Sequence, residues 1–72
     1  MKIYLKIQFS SEGPSPLDII KKVEEAGFKP VVGDYDFATQ FENPEDYGDK
    51  VETLHRALKG TKVHYTLNTK KD

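Results

Sequence analysis

Cysteine is absent from this chain, which removes disulfides, thiolate nucleophiles and cysteine-ligated zinc from consideration together. A heavy-metal chaperone built on a cysteine pair is excluded for the same reason. There is no apolar run long enough for a secretory leader or a membrane-spanning helix, because the opening Met1-Lys2 leads directly into an alternating pattern. A cytoplasmic setting without membrane contact is therefore expected. Charge of one sign is also missing. The formal net charge is −1 at pH 7, so no general basic field exists to hold a phosphate backbone. No Gly-rich phosphate loop, nucleophile elbow or paired ligand spacing appears, so neither a catalytic residue nor a metal or other cofactor is expected. Linkers and low-complexity segments are lacking too. Charged residues, by contrast, make up 32% of the chain and are mixed in sign, a composition that suits a heat-tolerant protein.

What is present reads as one domain over residues 1–72, close to the lower size limit for folding on a single core. The stretch from Phe28 to Glu42 organises it. Gly33 and Asp34 sit between Val31-Val32 and the alternating run Tyr35, Phe37, Thr39, Phe41, which predicts a hairpin with a Gly-Asp turn. Pro30 cannot donate to a ladder, so the first of these strands is expected to be short and at a sheet edge. Upstream, Lys2 to Phe9 alternates strictly, with Ile3, Leu5, Ile7 and Phe9 on one side. Ser15-Pro16-Leu17-Asp18 marks a helix start, and Ile19, Ile20, Val23 and Ala26 form its apolar stripe up to Gly27. Asn43-Pro44-Glu45-Asp46 repeats the signal, with Tyr47, Val51, Leu54 and Leu58 as the stripe and Gly60 as the stop. Lys62 to Thr69 alternates again, followed by the tail Lys70-Lys71-Asp72. The order strand, helix, strand, strand, helix, strand predicts an α+β ferredoxin-like βαββαβ sandwich. Right-handed crossovers give a four-stranded antiparallel sheet in the order 4-1-3-2, with both helices on one face.

The other face of such a sheet must be solvated, paired or used for binding. Alternation assigns to it Lys2, Tyr4, Lys6 and Gln8, then Asp36, Ala38, Gln40 and Glu42, then His64, Thr66 and Asn68. Lysines beside acids read first as cross-strand ion pairs on a wet surface. RNA binding would require aromatics on the two central strands. Only Tyr4 qualifies, and Asp36 would repel phosphate, so no nucleic-acid partner is expected. His55 and His64 share no face and gain no metal site. An acylphosphatase-type loop would need an arginine after the first strand, where S-S-E-G-P stands instead.

From Val31 onward the chain resembles the effector-binding, amino-acid-metabolism domain of the leucine-responsive, feast/famine family of regulators. The resemblance is carried by V-V-G-D-Y-D-F-A at 31–38 and K-G-T-K-V-H-Y-T-L-N-T at 59–69. That domain has the same βαββαβ order and also occurs as a short stand-alone protein, the form implied here because no helix-turn-helix is present. The resemblance implies a homodimer closed through the open sheet face, and an amino acid or similar metabolite bound between subunits near Gly33, Asp34, Tyr35 and Asp36. His64 and Thr66 are the neighbouring groups expected to complete such a site. Two further readings stand beside it. One is an adaptor that docks a protein by strand addition along the second strand or on the helices. The other is a small dimeric-barrel enzyme using His64, Tyr4 and Asp36.

Overall fold

The computed structural model describes residues 1–71, and Asp72 lies outside the described residues. Six elements follow in the expected order: β1 (Lys2–Gln8), α1 (Pro16–Glu25), β2 (Lys29–Pro30), β3 (Phe37–Gln40), α2 (Pro44–Leu58) and β4 (His64–Lys70). The sheet is antiparallel, in the order β2-β3-β1-β4. Both helices supply residues to one core with Ile3, Leu5 and Phe37, so they cover a single face in a ferredoxin-like sandwich.

Local chemistry sets the helix ends. The Ser15 hydroxyl accepts from Asp18 N–H and the Asn43 side-chain oxygen from Asp46 N–H, each before a proline in the first turn. These bonds satisfy amides that have no partner within the helix. At the far end of α1, Gly27 takes φ +98°, Gly27 N–H donates to Glu24 C=O, and Phe28 N–H donates to Val23 C=O. This paired reversal normally brings the residue after the glycine against the last helical turn. Phe28 is accordingly 1% exposed, in the same cluster as Val23. It is a core residue that strand alternation alone does not assign.

The core otherwise follows the stripes. Ile3, Leu5, Ile19, Val23 and Leu54 are fully buried, while Ile20, Tyr47 and Val51 pack at its margin. Gly48 does not interrupt α2, which runs unbroken to Leu58. Beyond it Gly60 takes φ +81°, and the buried Thr61 hydroxyl donates to Leu58 C=O at 2.6 Å. The loop after β1 lies against this turn. A Cβ placed on Gly13 would meet the Thr61 carbonyl oxygen at 2.2 Å.

The central hairpin differs from the expected two-residue turn. Strand β2 is two residues long, and its ladder with β3 ends where Val31 N–H donates to Asp36 C=O at 3.0 Å. Val32 to Tyr35 therefore form a four-residue loop, with Gly33 at φ +119° and Val32 fully exposed. The strand begins at Phe37 rather than Tyr35, so Tyr35 escapes the alternation and does not share the core side of Phe37. Strand β4 runs one residue past the expected end, to Lys70.

Candidate functional site

The open face is built from β1 outward. Tyr4 lies opposite Ala38 on one side and Asn68 on the other, and Lys29 lies beyond Ala38. One row toward the chain start, Lys2 lies between Gln40 and Lys70; on the other side, Lys6 faces Thr66 and Gln8 faces His64. Every charged side chain within the strands is a lysine on this face: Lys2, Lys6, Lys29 and Lys70. Acids are concentrated elsewhere. Helix α1 carries Asp18, Glu24 and Glu25 against Lys21 and Lys22, and α2 carries Glu45, Asp46, Asp49 and Glu52 against Lys50 and Arg56. Within the regular elements a nearly neutral composition thus divides into lysine-bearing strands and acid-rich helices, with Asp36 just before β3 bonded to β1 on either side of Lys6. The direct Lys2–Lys70 pairing sets like charges opposite each other, an arrangement that lowers stability in an isolated sheet.

Tyr35 folds back across this face. Its ring lies 5.1 Å from that of Tyr4 at an interplanar angle of 37°, and Asn68 Nδ2 donates to its hydroxyl at 2.8 Å. Lys70 Nζ stands 5.0 Å from the Tyr35 ring centroid and 5.8 Å from that of Tyr4. Tyr4 is therefore not a lone aromatic, as alternation suggested. Lys70 is exposed, and a cation–π contact at an exposed site contributes only about 0.5–1 kcal/mol, so Lys70 can leave the pair at small cost.

Asp36 is engaged by the backbone. Its N–H donates to Leu5 C=O at 2.9 Å, and its carboxylate accepts from Ile7 N–H at 2.8 Å. The carboxylate thus takes the place of the next ladder partner along β1, where β3 has already turned away. Gly33 and Asp34 are exposed in the loop, and the Asp34 side chain has no partner among the described residues. Of the residues expected at a site, Asp36 and Thr66 flank Lys6 on its two sides, and Tyr35 reaches the open face. His64 stands four residues along from the Tyr4–Asn68 row, on the order of 13 Å away, so His64, Tyr4 and Asp36 do not converge. His55 Nδ1 instead lies 3.2 Å from the Tyr65 hydroxyl.

At the β2 side the open face runs into a cleft of about 420 Å³, lined by Lys2, Lys29, Lys50, Ala38, Thr39 and Gln40 among others. It exists because β2 is so short: β3 beyond Ala38 has no strand beside its outer edge. No acid lines it. Among the described residues none of its three lysines is in an ion pair, whereas Arg56 and Glu52 pair on the helical surface at 3.8 Å. Asn68 shares the open face with Tyr4 as alternation assigns, whereas Lys70, read as tail, and Lys50, which reaches the cleft from α2, are outside that assignment. The described residues contain no metal-binding cluster and no helix long and apolar enough to cross a membrane. Comparison of the chain with protein-family models, with curated proteins and with solved structures finds no match.

Proposed function

We propose that this chain is a small non-catalytic binding module that takes its ligand on the open face of the sheet. The ligand is a metabolite with a planar group, which rests on the Tyr4–Tyr35 pair, and a negative charge, which lies among the lysines. The observation that carries this reading is the segregation of charge: every charged strand residue is a lysine on one face, with Lys2 set directly against Lys70. Such a pairing loses stability unless an anion relieves it. The turn from Gly33 to Asp36 then acts by presenting Tyr35 and by closing the β1 ladder through Asp36. Thr66 and His64 line the far end of the same face. An amino-acid effector, as the resemblance to leucine-responsive regulators implies, is one member of the class and would need an aromatic side chain to use the platform. A cytoplasmic setting belongs to the same reading.

A homodimer closed through this face, also implied by the resemblance, would bring the lysines of two copies together. It therefore requires the anion between them, and dimerisation depends on ligand. A second reading, protein docking by strand addition, is favoured by β4, which offers seven residues along an uncovered sheet edge. The test is a thermal-shift survey of the wild type and of a Lys2→Glu, Lys70→Glu double variant, using aromatic amino acids, aromatic carboxylates and nucleotides. At least one anionic aromatic compound is expected to raise the wild-type melting point and to leave the variant's unchanged. If no compound separates the two proteins, the open-face reading fails.

A further inference from the structure

Resting on the open-face reading, we infer that the ligand is a nucleobase carrying a phosphate ester, with the base on the tyrosine pair and the phosphate in the lysine-lined cleft. Two independent features of the fold meet here. The first is the tilted Tyr4–Tyr35 pair, whose one cationic cover, Lys70, is an exposed and flexible side chain. Aromatic side chains on the open face of an antiparallel sheet provide a stacking surface for unpaired bases, and stacking tolerates any base because every base has a π-face. The second is the cleft, which Lys2, Lys29, Lys50 and Gln40 help to line and no acid does. Three cations without an acidic partner suit a dianionic group far better than a single carboxylate.

Geometry connects the two. Ala38 belongs to both, since it is paired with Tyr4 and lines the cleft. Its side chain is only 7% exposed and forms the floor between the tyrosine ring and Lys29. Lys29 lies two strands from Tyr4 in the same row, about 10 Å at the usual strand spacing. A base stacked on the tyrosines can therefore extend its phosphate over Ala38 toward Lys29 and Lys2, while Lys50 approaches from α2. Two acids adjoin Tyr35 in the chain: the Asp36 carboxylate accepts from Ile7 N–H, and Asp34 is exposed in the loop. The chemistry is shared by a free nucleotide and by a single-stranded nucleic acid, which would continue past Lys70.

The test titrates adenosine, AMP and a single-stranded adenylate octamer into 15N-labelled wild type and into Lys50→Glu and Tyr4→Ala variants. AMP is expected to move the Tyr4, Tyr35 and Asn68 amides and to bind at least about fivefold more tightly than adenosine. Lys50→Glu, at a half-buried position in the middle of α2 and with its folding checked by a melting curve, should remove that phosphate-dependent gain and leave adenosine binding unchanged. Tyr4→Ala should weaken both by about tenfold. An octamer that binds at least tenfold more tightly than AMP, with affinity falling steeply as salt rises, identifies a single strand as the source. An octamer no tighter than AMP identifies the free nucleotide. Equal affinity for AMP and adenosine, or no effect of Lys50→Glu, overturns the phosphate assignment. If aromatic carboxylates move the platform amides and nucleotides do not, the nucleotide class is wrong while the open-face reading survives. If nothing moves those amides, both fall.

Discussion

Replacing Gly13 by alanine adds one methyl group at the place where the loop after β1 meets the turn after α2. That carbon would stand 2.2 Å from the Thr61 carbonyl oxygen and 3.3 Å from its carbonyl carbon. The opposing atoms are backbone, so no side-chain rotation can relieve the overlap. The turn is also held from beneath by the buried Thr61 hydroxyl on Leu58 C=O. Either the loop or the turn must move by about 1 Å, and forced expansion of this kind costs about 1–3 kcal/mol. In a domain of this size each kcal/mol shifts the melting point by about 4–8 °C, so a fall of roughly 4–24 °C is expected. Gly48→Ala is the matched control. A Cβ there meets nothing within 4 Å, and alanine inside a helix gains about 0.5–1 kcal/mol over glycine. Circular dichroism at 222 nm during heating measures both. A Gly13→Ala melting point within about 2 °C of wild type, well under the shift expected from 1 kcal/mol, would refute the argument that these two segments are in rigid contact.

The other predictions concern the core, the hairpin and the charge pattern. Leu54→Ala should cost about 2–4 kcal/mol, whereas Ile20→Ala, at the core margin, should cost visibly less; equal losses in urea denaturation would place α1 in the wrong rotation. Asp36→Ala should destabilise by about 1–2 kcal/mol through loss of a charge-assisted bond to Ile7 N–H, and faster exchange of the Ile7 amide hydrogen should accompany it. An Ile7 amide protected equally in both proteins would contradict that role. Lys2→Glu should raise stability by about 0.2–1 kcal/mol by replacing a like-charge pair with an opposite-charge one, while weakening any anionic ligand. A variant less stable than wild type would remove the like-charge argument.

Much of the fold can be read from local signals because they agree with one another. Ser15 and Asn43 each precede a proline and an acid, and both cap as those residues require. Strict alternation in β1 and β4 sets their faces, while the register that places Lys70 opposite Lys2 comes from the folded sheet. Phe28 was also within reach, since a glycine that ends a helix often places the next apolar residue against it. Tyr35 was not. Its place in an alternating run suggested the core, and only the four-residue loop turns it onto Tyr4. The basic cleft is equally hidden in sequence: Lys2, Lys29 and Lys50 lie far apart in the chain, and α2 brings the last of them to the sheet. Charge segregation is invisible to a net charge of −1, because it arises only when strands and helices are assigned to separate layers.

The most direct measurement of the central claim is backbone-amide chemical-shift mapping of the wild-type chain against a panel of anionic aromatic metabolites. The largest shifts are expected on Tyr4, Tyr35, Ala38, Asn68 and Lys70, with α1 and the outer surface of α2 unmoved. Shifts confined to the helical layer, or along β4 alone on addition of a protein partner, would contradict it.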